Sequence, residues 1–196
     1  MNEPSGSIFH HPGLRRFLVR LRAPIALIGV LLMAKYANRD WLLAGFLVSM
    51  LGEFIQVWCF ASLDKASTLA VRGPYTMVRN PMYLGRYFIV LGFLMLLGNG
   101  WLLAIFTVLY WLYMDARVQR EEKRLRPIFG EPYDRYCATV RRFIPGLPAT
   151  GEAVLYWNWT LFKQNHAAFN AAATIAAWAI IGVALHWGLP YIRVGG

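Results

Sequence analysis

Two short stretches of this chain carry residue types that could do chemistry. The first is Arg72-Gly73-Pro74-Tyr75-Thr76-Met77-Val78-Arg79-Asn80-Pro81-Met82-Tyr83-Leu84-Gly85, and the second holds Arg117, Glu121 and Glu122. Asn is a preferred residue just before a helix, and Pro is favoured at the first helical position. Asn80-Pro81 therefore predicts a helix start, with the Asn80 side chain capping the free backbone N–H groups. The positive end of the helix dipole, with Arg79 beside it, attracts a carboxylate or phosphate. The same residues also suit an ordinary capped transmembrane helix with a juxtamembrane arginine. Arg117 and Glu121 stand four apart and share a helix face, which fits either a site or a solvated ion pair. Glu53 and Gln56, three apart in an apolar run, are costly in hydrocarbon and point to function, to snorkelling near a helix end or to a helix–helix hydrogen bond.

Other chemistries lack their residues. His10, His11, His166 and His186 are scattered with no metal-ligand spacing, so no metal site is expected. The sequence carries no glycine-rich phosphate loop and no serine nucleophile elbow. Cys59 and Cys137 are too few for a disulfide framework.

Composition states what must position these residues. The chain has 196 residues, 58% apolar and only 15% charged, against about 25% charged in soluble domains. A single all-α membrane domain over residues 1–196 is expected, with no cleaved signal peptide at its start. Apolar runs at 24–37, 41–63 and 81–115 predict four spans. The last of these runs is too long for one span and is broken by Gly98-Asn99-Gly100, which predicts a helical hairpin of spans three and four. From residue 116 a charged segment continues the fourth helix out of the bilayer as far as Pro127. A turn at 129–132 and a short helix at 133–142 should follow. Tyr156, Trp157, Trp159, Phe162 and Lys163 read as an interfacial segment, and 169–189 as the fifth span. With the N-terminus in the cytoplasm, 17 of the 20 Lys and Arg residues fall inside, which satisfies the positive-inside rule and puts the C-terminus outside. The net charge of +10 then reflects membrane topology and not a nucleic-acid partner. Both chemistry-bearing stretches meet on the cytoplasmic side.

In this setting the chain resembles the isoprenylcysteine carboxyl methyltransferase family of integral membrane enzymes. The resemblance rests on Gly73-Pro74-Tyr75, Val78 to Gly85, Glu121-Glu122 with Leu125, Phe129-Gly130-Glu131-x-Tyr133 with Tyr136, and Arg142-Phe143-Ile144-Pro145, over about residues 45–147. It implies that S-adenosylmethionine is held in a core of about residues 64–147, between the loop before the third span and the extension after the fourth. Ser67, Thr68, Leu69, Ala70, Tyr75, Arg79, Asn80, Tyr83, Glu121 and Glu122 would contact the cofactor. Glu121 would hold its ribose or amino-acid part, and Arg117 would stand near the acceptor carboxylate. The acceptor would be a small lipidic or prenylated molecule reached from the membrane, and the product S-adenosylhomocysteine.

The chain departs from the family pattern in two places. Members acting on prenylated proteins carry His where this chain has Asn80, and His-Thr-Leu-Val where it has Ser67-Thr68-Leu69-Ala70. Asn can cap and hydrogen-bond but cannot titrate near neutrality. Methyl transfer to an ionised carboxylate needs positioning and no strong base. Transfer to a phospholipid amine would need one, with Glu121, Glu122 or Glu53 as candidates. A membrane sterol or enone reductase and a non-catalytic scaffold are the more distant alternatives.

Overall fold

A computed structural model describes residues 24, 27–64, 69–148 and 154–187, and among these every regular element is a helix. Seven α-helices follow in order: α1 Leu27–Tyr36, α2 Leu42–Ser62, α3 Pro81–Met95, α4 Gly100–Phe129, α5 Glu131–Thr139, α6 Trp159–Gln164 and α7 Ala167–His186. One-turn 3-10 segments lie at Arg39–Trp41 and Gly73–Thr76. Three stretches are long and apolar enough to cross a membrane, Arg39–Ser62, Gly100–Phe129 and Ala167–His186, while α1 and α3 are shorter apolar helices. Leu43, Leu47, Leu112, Trp101 and Phe169 are among the many large apolar side chains left exposed. In water such a surface would aggregate, and facing lipid it is the low-energy side.

The framework is the α2–α3 pair. Gly45, Ser49 and Gly52 on α2 face Gly92 and Gly85 on α3, so the two backbones touch. A Cβ placed on Gly52 would lie 2.5 Å from the Gly85 carbonyl oxygen, and one on Gly45 would lie 2.5 Å from that of Gly92. The Ser49 hydroxyl donates across the seam to the Ile89 carbonyl at 2.9 Å. Small residues are what allow close packing between helices in lipid, where no hydrophobic driving force brings them together. The sequence reading of apolar runs did not anticipate this seam.

A core cluster of Ala34, Ala37, Leu96, Trp178, Ile181 and Leu185 ties α1, the end of α3 and α7 together. Trp178 stacks on Phe93 with centroids 4.9 Å apart. At the other end of α2, the Asn165 amide donates to the carbonyls of Phe60 and Leu63, both at 2.8 Å, closing the helix terminus. Glu53 is buried, and the Thr174 hydroxyl of α7 donates to its carboxyl at 2.7 Å. This accounts for half of its polar inventory by helix–helix contact.

The hairpin forms as the Gly98-Asn99-Gly100 break predicts. Gly98 takes φ +62°, and Asn99 caps α4 by accepting from the Leu102 N–H at 3.0 Å. Three boundaries differ from expectation. Helix α4 passes Pro127 and runs to Phe129; the proline removes one ladder hydrogen bond to the preceding turn without ending the helix. A single residue, Gly130 at φ +56°, then replaces the expected turn, and α5 starts at Glu131 and ends at Thr139. Only a residue tolerant of positive φ reverses the chain so sharply.

Candidate functional site

The polar stretch between α2 and α3 buries its one-turn 3-10 segment. Gly73, Pro74, Tyr75 and Thr76 are all buried, and the Thr76 hydroxyl donates to the Gly73 carbonyl at 2.8 Å. Gly73 has φ +60° and abuts the Ser62 side chain, so a larger residue is excluded by both backbone and space. The segment after α5 docks on this hinge. Arg79 N–H donates to the Arg141 carbonyl at 2.8 Å, Gly146 N–H to the Met77 carbonyl at 2.9 Å, and the Tyr136 hydroxyl to the Tyr75 carbonyl at 2.8 Å.

Asn80 does not cap α3, contrary to the expectation. Its side chain makes no capping hydrogen bond, and its amide instead donates to the Arg142 carbonyl at 3.1 Å. The helix still begins at Pro81. Tertiary docking competes for the same amide and wins.

An ion cluster locks the arrangement. Arg142 grips Glu122 with two nitrogens, Nε to Oε1 at 3.1 Å and a terminal nitrogen to Oε2 at 2.8 Å, while its other terminal nitrogen reaches Asp115 at 2.8 Å. Arg79 shares the same Glu122 at 3.2 Å, and both of these side chains are largely buried. The hydrogen bonds to Glu122 raise the already high pKa of Arg142, so its charge is permanent.

Between the hinge, the C-terminal half of α4 and α5 lies a cavity of about 590 Å³. Eight of the ten residues expected at a cofactor line it: Leu69, Ala70, Tyr75, Arg79, Asn80, Tyr83, Glu121 and Glu122. Ser67 and Thr68 lie outside the described residues. Arg117 does not line the cavity but stands one helical turn before Glu121, and of the two readings open for this spacing the direct ion pair is not the one formed: a bridge links the two. Arg117 Nε donates to the Tyr83 hydroxyl at 3.0 Å, and that hydroxyl donates to Glu121 at 2.9 Å. Glu122 faces the cavity with its carboxylate already shared between two guanidiniums, whereas Glu121 keeps one oxygen without a donor among the described residues.

The remaining wall is mostly aromatic and apolar, with Leu63, Met82, Leu125, Ile128, Phe129, Tyr133 and Tyr136, and one further carboxylate, Asp64. These residues had not been expected at the site, although the i, i+3 spacing of Tyr133 and Tyr136 places them on one face of α5. Burial pushes the phenols of Tyr75, Tyr133 and Tyr136 up, so all three remain neutral hydrogen-bonding groups across the physiological range. Arg142 and Asp115 were likewise absent from the expected site, because ion pairing between a loop and a helix 20 or more residues away leaves no periodic trace. No cluster of His, Cys, Asp and Glu among the described residues could hold a metal ion.

Comparison with known proteins bears on this geometry. Residues 41–132 match the phospholipid methyltransferase family. The resemblance drawn from the motifs stands with it. Among curated relatives, the chain is 35% identical over 85 residues to a protein-S-isoprenylcysteine O-methyltransferase of Schizosaccharomyces pombe, a match covering 43% of this chain and 36% of the relative. It is 33% identical over 82 residues to the protein of that description from Xenopus laevis, covering 42% and 28%. A Delta(14)-sterol reductase of Ascobolus immersus is 29% identical over 90 residues, covering 45% and 21%. The matched region thus spans well under two thirds of these relatives. No solved structure matches the chain significantly. The family match covers α2, the hinge, α3, all of α4 and the start of α5, which are elements that build the cavity.

The residues present suit S-adenosylmethionine by type and by room. The cavity volume is within the usual range for small-molecule sites. Arg79 Nε is buried without a hydrogen-bond partner, a donor available to an anionic group. Glu121 offers an acceptor to hydroxyls or an ammonium, and four tyrosines supply the π-faces that attract a sulfonium.

Proposed function

We propose that this chain is an integral membrane methyltransferase that transfers the methyl group of S-adenosylmethionine to a lipidic acceptor, by resemblance the carboxylate of an isoprenylcysteine-like compound. The single observation that carries the reading is the convergence of the hinge, α4 and α5 on one cavity lined by Tyr75, Arg79, Asn80, Tyr83 and Glu121. Arg79 would take the carboxylate of the cofactor and Glu121 its ribose or ammonium, leaving Tyr133 and Tyr136 as ring surfaces. When bound, the cofactor supplies an electrophilic methyl carbon: a carboxylate oxygen bonds to it as the carbon–sulfur bond breaks, leaving neutral S-adenosylhomocysteine. An ionised acceptor needs no proton removed, so the residues have only to orient it. Arg117, held by the Tyr83 hydroxyl, would do so from the membrane side of the cavity.

Amine methylation is the second reading, favoured by the phospholipid methyltransferase family match. It needs a base, and Glu121 would have to serve while hydrogen-bonded to Tyr83. The fold is read as five spans, with α1 and α3 crossing as short helices and the site on the cytoplasmic side. Membrane lipids and a small lipidic acceptor are then its partners. Titration calorimetry of the purified protein with S-adenosylhomocysteine tests the function. Binding, with turnover lost in Glu121→Ala, is the expected result. No binding, together with turnover indifferent to that change, would overturn it.

A further inference from the structure

A cation that the site does not yet account for stands at the edge of the cavity. Arg86, one turn into α3, is exposed, and one terminal nitrogen of its guanidinium donates to the Met82 sulfur at 3.3 Å. A thioether is a weak acceptor, and no carboxylate among the described residues pairs with Arg86. Its guanidinium carbon also lies over the Tyr83 ring, 5.6 Å from the centroid, and that of Arg117 lies over the same ring at 5.7 Å. Met82 and Tyr83 both line the cavity.

Two guanidiniums therefore contact one cavity-lining tyrosine, one from α3 and one from α4. Glu121 is linked to Arg117 through the Tyr83 hydroxyl and not by a direct pair. Around them α4 exposes Leu109, Leu112 and Tyr113, an apolar surface on which a charged group is costly. Among the described residues Arg86 makes this one hydrogen bond, leaving four of its five donors open there. An unneutralised pair of guanidiniums beside apolar surface and beside a cavity is the arrangement that recognises the anionic end of an amphiphile, because arginine binds carboxylate and phosphate through paired donors. Tyr83 holds both cations by their π-contacts, so the pair is set before any ligand arrives.

We propose that Arg86 and Arg117 form a fork over Tyr83 that takes the anionic group, carboxylate or phosphate, of an amphiphilic acceptor, and that Arg86 is a specificity-determining residue. This deepens the methyltransferase reading and rests on it. A neutral or cationic head group at this fork meets two positive charges and no counter-charge within direct reach.

The test uses the full chain in lipid nanodiscs without cofactor. Three probes are compared by equilibrium binding: N-acetyl-S-farnesylcysteine, its methyl ester and farnesyl phosphate. At least one of the two anions should bind tenfold or more tightly than the ester, and the tighter of the two identifies the head group. Arg86→Gln should bring the anion-to-ester ratio down about tenfold, and Arg86→Lys should restore much of it. S-adenosylhomocysteine affinity, measured separately, should stay within about threefold in both variants. An ester bound as tightly as both acids, or a ratio unchanged in Arg86→Gln, overturns the fork. Loss of S-adenosylhomocysteine binding by the unmodified chain would instead strike at the methyltransferase reading and leave the acid-to-ester comparison interpretable.

Discussion

Glu122→Gln should loosen the segment that closes the cavity without unfolding the helices around it. In the folded chain this carboxylate accepts two nitrogens of Arg142 at 2.8 and 3.1 Å and one of Arg79 at 3.2 Å. Gln keeps the shape and one acceptor oxygen but leaves two guanidiniums facing each other with only Asp115 near. Breaking a buried pair costs about 3–5 kcal/mol. Arg142 is 32% exposed along its side chain, so solvent replaces part of the loss and about 2–3 kcal/mol is the better figure. At about 1.4 kcal/mol per tenfold, the docked state should lose a factor of about 30 to 150. The amides that report docking are Arg79 N–H on Arg141 and Gly146 N–H on Met77. Hydrogen exchange with mass spectrometry should show peptides over 77–80 and 140–147 losing protection by that factor, while α2 and α7 stay protected. The control is Asp134→Asn, which removes the Arg126–Asp134 pair whose side chains are 63% and 61% exposed and should change exchange little. Equal effects of the two substitutions, or none in either, would refute the clamp.

Gly52→Ala should separate α2 from α3, because the added Cβ would sit 2.5 Å from the Gly85 carbonyl oxygen and 2.6 Å from the Ile89 nitrogen. Overpacking of this kind costs about 1–3 kcal/mol. Thermal unfolding in detergent should show the loss, with Gly182→Ala, which meets nothing within 4 Å, neutral or stabilising. The tyrosines set an alkaline limit. Tyr75, Tyr133 and Tyr136 have phenols raised by burial, and in the unfolded chain they ionise near about 10. Their contribution to stability is therefore complete below that pH and is lost as pH rises above it. Tyr133→Phe should flatten the fall measured from about pH 9.5 upward, and an unchanged slope would remove burial as its cause. A reporter fused after Gly196 should be accessible only from the outside, and a cytoplasmic signal would end the five-span reading.

What the sequence made legible was whatever leaves a local trace. The apolar runs gave α2 and α7 to within a few residues, and Gly98-Asn99-Gly100 gave the hairpin because positive φ and capping are encoded by residue type at one place. Motif order gave eight cavity-lining residues, since the resemblance supplied the long-range pairing that periodicity lacks. The misread positions are those where a distant partner decides. Asn80 carries the right side chain for a cap, yet the Arg142 carbonyl, 62 positions away, takes its amide. Arg117 and Glu121 have the right spacing for a pair, yet Tyr83 from another helix inserts its hydroxyl between them. Gly45, Gly52, Gly85 and Gly92 look like isolated helix-weakening glycines until two helices are laid together.

The seam and the site are connected by geometry. Gly85 lies in the first turns of α3, four residues after Pro81 and two after Tyr83, and its backbone is pressed on that of Gly52. The position of Tyr83, and through it the spacing of Arg117 and Glu121, is therefore fixed by how closely α2 and α3 approach. Arg142 and Arg79 fix the opposite wall by gripping Glu122, one residue after Glu121 on α4. One contact is apolar and made of missing side chains; the other is ionic and made of long ones. Each suits its depth: in lipid, close backbone packing is available and charge is expensive, whereas at the polar end charge is cheap and loops need pinning. A cavity held between the two has rigid walls on the membrane side and a detachable one on the other. The α5 wall follows α4 through the single residue Gly130, is tied to it by the exposed Arg126–Asp134 pair, and leads into the segment that the clamp holds, which makes it the wall expected to open. Loss of the clamp should accordingly speed ligand release more than it slows ligand entry, which stopped-flow displacement of S-adenosylhomocysteine from Glu122→Gln would measure directly.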